Sequence, residues 1–432
     1  MAPRTAAPRR RAHRAAPRPF VSTPAIADAP SPTDSVAFLV EAASALAASG
    51  LAAHDVEDAM TRCARRLRIN AACNVTPVSV LVAAGEGDDQ RAHLVPIRAA
   101  GSNLARLCDL DRALAGVLAG ALHPRAALRA VRDASSAPPV HGLAVSSLGA
   151  GALAASAGAF FGGSIPDVVA AGALGMGVAL LTALLAAHDR LGRLTDFIAG
   201  FAAAFAAAHL ARAFPPLHPQ IVTLAGVVAL LPGLALTIAV SEIASRSLVA
   251  GASRLLGALA GLFTLVFGVA LGLRAAGAPL AIAPTGAFDQ PEWLPAVALA
   301  LACASLHIVF QAKRRHALLI AGAGALGFLT ARAATANFGP ELGAFTGAGA
   351  VAVASNLATR ILDRPAVLTL LPGMLLLVPG SLGFRSIAGI VGPDAADAIS
   401  GVQGVVTMGI VAVALVTGLL VANVIIPPRA WK

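Results

Sequence analysis

The sequence predicts a polytopic α-helical membrane protein, with ten transmembrane helices as two inverted five-helix repeats and a small soluble α+β domain in front. Three observations carry that expectation. The 432 residues are 57% hydrophobic and 12% charged, with a mean hydropathy of +0.78, which is no composition for a soluble globular protein of this size. From Gly142 to Ile426 apolar runs follow one another, each close to the roughly 18–20 residues that cross a bilayer as a helix. The tetrapeptide LLPG occurs at 230–233 and again at 370–373, both times inside an apolar run.

Residues 1–33 are rich in Arg, Pro and Ala, with no acid before Asp28. Such a start can be a transit peptide, but no apolar stretch follows it and the composition cannot build a core, so a disordered cytoplasmic tail is the reading. Residues 34–140 have ordinary charge density and read as a cytoplasmic α+β domain. SVAFLVEAASALAAS and HDVEDAMTRCARRL have helical spacing, the second capped by His54-Asp55. ACNVTPVSVLVAA (71–83) reads as a strand, GEGDD as a turn and AHLVPIRA (92–99) as the paired strand. Helical spacing returns in LCDLDRALAGVLAG and PRAALRAVRDA.

The membrane spans are expected at 142–162, 166–187, 194–213, 220–245 and 252–276, then 293–312, 316–335, 341–359, 366–388 and 400–426. The polar stretch 277–292 separates the two sets, giving repeats at 141–280 and 281–432, and Trp293 suits an interface. With both termini cytoplasmic, Arg190, Arg193, Arg246, Arg254, Lys313, Arg314, Arg315, Arg360, Arg364, Arg429 and Lys432 lie inside, against Arg212, Arg274, Arg332 and Arg385 outside. That asymmetry is the positive-inside pattern.

Five spans is an odd number, so a second set of five enters the membrane from the opposite side, which is the inverted-repeat plan of many secondary transporters. LLPG falls in the fourth span of each set. At an offset of 140, Pro232, Gly233 and Ser241 align with Pro372, Gly373 and Ser381, and Glu242 faces Leu382. The second copy has another step at Pro379-Gly380. Proline inside a helix removes a backbone bond, and freed backbone groups in a membrane need protein or a water-lined cavity to satisfy them. Half-helix ends present N–H groups at one side and C=O groups at the other, which suits a ligand with both a carboxylate and an ammonium.

The candidate transport residues are therefore Pro232, Gly233, Pro372, Gly373, Pro379 and Gly380 as helix breaks, and Thr237, Ser241 and Ser381 as substrate donors. Glu242 is a carrier of a proton or an anchor for an ammonium, unless it only pairs with Arg246 one turn later. Arg246, Arg254 and Arg385 are the basic candidates near the two breaks. Asn356, Gln403, His307, Gln311 and Thr407 could line a path, although single amides and hydroxyls in membrane helices commonly bond neighbouring helices. Asp167 and Asp196 read as N-terminal helix charges, and Gly257/Gly261, Gly268/Gly272 and Gly343/Gly347 as close helix contacts.

Other functions are poorly served. The net charge of +10 divides equally between residues 1–141 and the remainder and sits in the tail and short loops without aromatic interleaving, so no nucleic acid partner is expected. The four cysteines have no CxxC spacing, and neither a cofactor nor a metal site is expected. His54, Asp55, Glu57, Ser79 and His93 could compose a hydrolytic set, but nothing in their spacing specifies one.

Four stretches together resemble the threonine/serine exporter family over about residues 35–428: SGLAAHDVEDAMTRCARRL with the Thr-Pro step of VTPVSVLV, IRAAGSNLARLCDLDRAL, LLPGLALTIAVSEIASRSLVAGASRL, and RPAVLTLLPGMLLLVPGSLGFRS. The tail before residue 34 is outside that pattern. The resemblance implies a ten-helix inner-membrane exporter moving L-threonine and L-serine on the proton motive force. Its two-chain version implies dicarboxylate (succinate) export as the alternative, with a cationic site around Arg246, Arg254 and Arg385, and a membrane-anchored hydrolase is a third reading. The expected partners are these small molecules, protons and the lipid bilayer, with a homo-oligomer left open.

Overall fold

A computed structural model of the chain describes residues 32–97, 101–188, 190–278, 290–362, 364–392 and 395–428. The expected tail, most of the seam between the two halves and the basic C-terminus lie outside the described residues.

The N-terminal segment holds helices α1 (Pro32–Ala48) and α2 (Ala53–Leu67), strands β1 (Ala71–Val75), β2 (Ser79–Ala84) and β3 (Arg91–Pro96), and helices α3 (Leu104–Leu118) and α4 (Pro124–Ser136). The sheet is antiparallel in the order β1-β2-β3, with Val75 opposite Val80 and Val82 opposite His93. Val80, Val82 and Ala84 are buried in alternation, as one covered face of a strand requires. The stretch 71–83, expected as one strand, is a hairpin. Pro77 supplies no N–H for a ladder, and the Thr76 hydroxyl donates to the Ser79 carbonyl at 3.0 Å across the turn.

Among the described residues twelve helices follow: α5 (Leu143–Phe160), α6 (Ile165–Ala186), α7 (Thr195–Ala213), α8 (Pro219–Gly226), α9 (Gly233–Ala244), α10 (Leu248–Ala275), α11 (Leu294–Val309), α12 (Ala317–Phe338), α13 (Pro340–Leu362), α14 (Val367–Leu375), α15 (Gly380–Val391) and α16 (Ala395–Ile425). Among the described residues, 8 segments are long and apolar enough to cross a membrane, with α14 and α15 taken as one. The pair α8 and α9, bent by 43°, makes up to 9, while the apolar α11 is shorter than that length.

These helices bury small residues and turn large ones outward. On α7, Ala199, Ala203, Ala204, Ala207 and Ala208 are buried, and Gly268 and Gly272 of α10 lie against the carbonyls of Phe197 and Phe201. Gly343 and Gly347 of α13 lie in the same way against Thr335 and Ala331 of α12. The outer face of α16 carries Ile399, Val402, Val406, Ile410, Val413 and Val424, all exposed. Close backbone approach through small residues, with aliphatic groups left facing out, is how helices associate in lipid.

The core of the N-terminal segment does not close on itself. Phe38, Leu46, Met60, Leu110 and Leu114 share one buried cluster with Leu306 and Phe310 of the α11 end, Ile320 of α12 and Leu368 of α14. Two hydrogen bonds reinforce this seam, from the N–H groups of Leu104 and Ala105 at the start of α3 to the carbonyls of Phe310 and Gln311, at 2.9 and 3.3 Å. Lys313 also reaches the Asp109 carboxylate at 3.1 Å.

Both stretches carrying LLPG are interrupted, and of the two breaks expected in the second, only the later one is made. In the first, Pro232 caps α9, with the preceding Leu231 extended, as residues before proline prefer. In the second, Pro372 lies inside α14 and is buried, and the break comes later, where Pro379 caps α15. Backbone angles at the two caps agree, φ −78° and ψ 36° at Pro232 against φ −81° and ψ 31° at Pro379. In cap geometry Pro232-Gly233 is matched by Pro379-Gly380, not by Pro372-Gly373. Gly373 packs against Val351 of α13 and the Ala323 carbonyl of α12, contacts that hold α14 helical through its proline.

Candidate functional site

Residues before and after the two breaks meet. A methyl group built on Gly380 would stand 3.3 Å from the Gly233 backbone, and one on Gly233 would stand 2.6 Å from the Val378 side chain. Glycine at both positions gives room for this approach, and the N-terminal ends of α9 and α15 abut. Of the residues expected to act as breaks, Pro232, Gly233, Pro379 and Gly380 are brought together.

Below this contact, along α9, lies a cavity of about 520 Å³, a size typical of small-molecule sites. Leu234, Thr237, Ile238 and Ser241 of α9, Asn356 and Thr359 of α13, and the start of α14 form one side. The loop between α1 and α2, the first residues of α2 and the face of α3 carrying Asp111 and Ala115 cover the other. The cavity thus lies where the N-terminal segment meets the membrane helices. Its charged lining residues are Asp55, Asp111 and Arg364, accompanied by His54. Arg364 forms no ion pair among the described residues.

Asp55 faces this cavity with 57% of its side chain open, and its carboxylate stands 3.6 Å from the His54 ring. Although the side chain opens on the cavity, the protein crowded around it displaces bulk solvent and raises the Asp55 carboxyl above the ordinary range; His54 opposes that shift, and Asp58 and Glu242 add to it. The Nδ1 atom of His54 is buried with no hydrogen-bond partner. An unfilled polar atom is uncommon in a finished interior.

Glu242 is fully buried but does not line the cavity. Its carboxylate accepts two bonds from Arg254, from Nε and Nη2, each at 3.0 Å, and a third from the Ala53 backbone N–H at 2.9 Å. The expected pairing with Arg246 is not made: Arg246 is exposed, beyond the end of α9, in a left-handed conformation at φ 66°. The expected use of Glu242 for a proton or a substrate ammonium meets a carboxylate with three of its roughly four acceptor positions filled. The cap expected from His54-Asp55 is also replaced, since Ala52 is the N-cap of α2 and no α2 side chain caps it. Glu242 fills that place, where the positive end of a helix favours an anion.

The other expected residues divide. Thr237 and Ser241 line the cavity, with the Thr237 hydroxyl donating to the Gly233 carbonyl at 3.1 Å. Asn356 lines it and is held by the Asn423 side chain at 2.8 Å and the Ile426 carbonyl at 2.7 Å. Pro372, Gly373, Ser381 and Arg385 lie outside the lining, and Gln403 is exposed on α16 with Thr407 donating to its carbonyl. Gln311 binds the His141 N–H at 2.9 Å and the Ser146 hydroxyl at 2.8 Å, tying α5 to α11. His307 packs against His141.

The hydrolytic set is dispersed. Glu57 accepts the Val75 N–H at 2.8 Å, Ser79 sits in the Thr76 turn, and His93 stands exposed on β3. At the opposite end of the bundle, Asp167 forms a capping box with Ser164, as its place at a span start suggested. It also binds His218 through the backbone N–H at 2.7 Å and the ring at 2.8 Å. No sequence spacing pointed to that pair, nor to Asp55, Asp111 and Arg364 sharing one cavity.

Neither curated proteins nor solved structures give a match to this chain. Family models do. Residues 37–276 match a threonine/serine exporter model, and residues 295–425 match a second, described as Threonine/Serine exporter, ThrE. The two matches meet across the seam between the halves, and with the row of apolar helices they make this a multi-pass membrane protein that belongs to the threonine/serine exporter family.

Proposed function

We propose that the chain exports L-threonine and L-serine across the inner membrane, driven by the proton motive force, from a cytoplasmic face covered by the N-terminal segment. The observation that carries this reading is the cavity beside the broken helix α9, enclosed by both parts of the molecule and furnished with carboxylates, a guanidinium, hydroxyls and amides. Those groups suit a ligand that is itself an ammonium, a carboxylate and a hydroxyl.

Ten crossings as two inverted five-helix repeats agree with the element order. Helices α9 and α15 have 12 residues each, and α6 and α12 have 22. Helix α7 packs along α10 as α13 does along α16, and α6 meets α8 as α12 meets α14. In this reading the bent pairs α8–α9 and α14–α15 each cross once, and the 16-residue α11 crosses as a short span. Both termini are then cytoplasmic, in keeping with the basic inner loops.

A dicarboxylate would set one carboxylate against the acids Asp55 and Asp111, and of the arginines expected to bind it, Arg254 is already paired while Arg246 and Arg385 lie outside the cavity. Counterflow in proteoliposomes with labelled threonine, serine and succinate, with and without a pH gradient, tests the reading. Threonine and serine should exchange, faster with the gradient. Exchange of succinate alone, or of none of the three, would reject it.

A further inference from the structure

The cavity's charges are divided by origin. Among the described residues, the two lining carboxylates, Asp55 and Asp111, belong to the N-terminal segment, whereas Arg364 belongs to the turn leading into α14. Pro365, Ala366 and Val367, which follow Arg364 and open α14, also line the cavity, so the positive end of that helix adds to the guanidinium. A zwitterion in this cavity would find carboxylates from one part of the chain and a guanidinium from the other among the lining residues. The His54 Nδ1 atom, buried and unpaired, lies on the acidic side.

Resting on the exporter reading above, we propose that the N-terminal segment supplies half of the substrate site. Asp55, seconded by Asp111, binds the substrate ammonium, and Arg364 binds its carboxylate. The segment is then more than a cover, because the site is complete only while it is docked on the membrane helices. Selection for an amino acid over a hydroxy acid or a dicarboxylate resides in the part of the chain that does not cross the bilayer.

The test uses the full chain in proteoliposomes and compares threonine with 3-hydroxybutanoate, the same skeleton without the ammonium, as competitors of labelled threonine counterflow. Wild type should prefer threonine by about tenfold or more, the worth of one charge-assisted bond. Asp55→Asn should weaken threonine by about that factor and leave 3-hydroxybutanoate unchanged, so that the preference collapses, while Asp55→Glu restores it. Arg364→Gln should weaken both competitors together. An Asp55→Asn protein that keeps the wild-type preference overturns the proposal, as does a parallel loss of both competitors with a lowered unfolding temperature, which would mark a structural role. If Asp55→Asn does not fold, Asp111→Asn is read by the same ratio. Failure of the wild type to exchange threonine would instead reject the exporter reading itself.

Discussion

Helices α9 and α15 begin alike and end differently. Each has 12 residues, each is capped by proline and opens on a glycine that touches the other, and each follows a shorter helix across a break. Yet α9 lines the cavity with four side chains and finishes at Glu242, which is bonded to Arg254 and to the first N–H of α2. At the position equivalent to Glu242, α15 has Gly389, and none of its residues lines the cavity. The shared beginning is what backbone geometry demands of two helices meeting inside an apolar bundle. The different ends mean that α9 both lines the cavity and receives the N-terminal segment, whereas α15 does neither.

The largest effect that would break this contrast is at Arg254. Arg254→Leu leaves Glu242 charged, buried and short of its partner, and should destabilise the purified protein by about 3–5 kcal/mol. The double variant Glu242→Leu/Arg254→Leu should recover much of that loss, because two apolar groups replace the pair. Arg385→Leu in α15 should shift the unfolding temperature little. Equal losses from Arg254→Leu and Arg385→Leu would dissolve the asymmetry.

A smaller effect sharpens the register. Pro372 lies inside α14 and denies the Leu368 carbonyl a donor, so Pro372→Ala should raise stability by about 1–3 kcal/mol. Pro379 sits at a cap whose backbone suits proline, so Pro379→Ala should lower it by about 0.4–1 kcal/mol. Opposite signs in thermal unfolding place the second break at 379; reversed signs would return it to 372.

The mildest test probes surface rather than stability. Burial pushes the thiols of Cys63 and Cys73 up to about 12 and that of Cys108 to about 11, so at pH 7 they stay protonated and react slowly. Against that quiet background, Ser241→Cys in α9 should be labelled by a small water-soluble maleimide and protected by saturating threonine. Ser381→Cys in α15 should resist labelling. Protection at both positions would mean that α15 also faces the substrate.

Much of this architecture is legible in the sequence, since it depends on local pattern. The apolar runs marked the membrane helices, and Pro232-Gly233 marked a break because the helix before it is short and Leu231 is already extended. The step at Pro379 was also visible, but the offset of 140 paired Pro232 with Pro372, because two Pro-Gly steps stand seven residues apart in similar surroundings. What separates them is tertiary: Gly373 is held by α12 and α13, whereas Gly380 is pressed on Gly233. The cap of α2 was invisible for the same reason, its acceptor lying 189 residues downstream. The cavity escaped notice because Asp55, Asp111 and Arg364 come from three segments, none of which carries a motif.

That distant cap sets an order of events during synthesis. Ribosomes add about 5–20 residues per second, so the first residue of α2 is made roughly 10–40 seconds before Glu242 exists to receive its N–H. The N-terminal core waits longer still, until Ile320 and Leu368 arrive. The segment made first is therefore among the last to be finished, and until the membrane half is threaded into lipid its apolar face is open to whatever escorts the nascent chain.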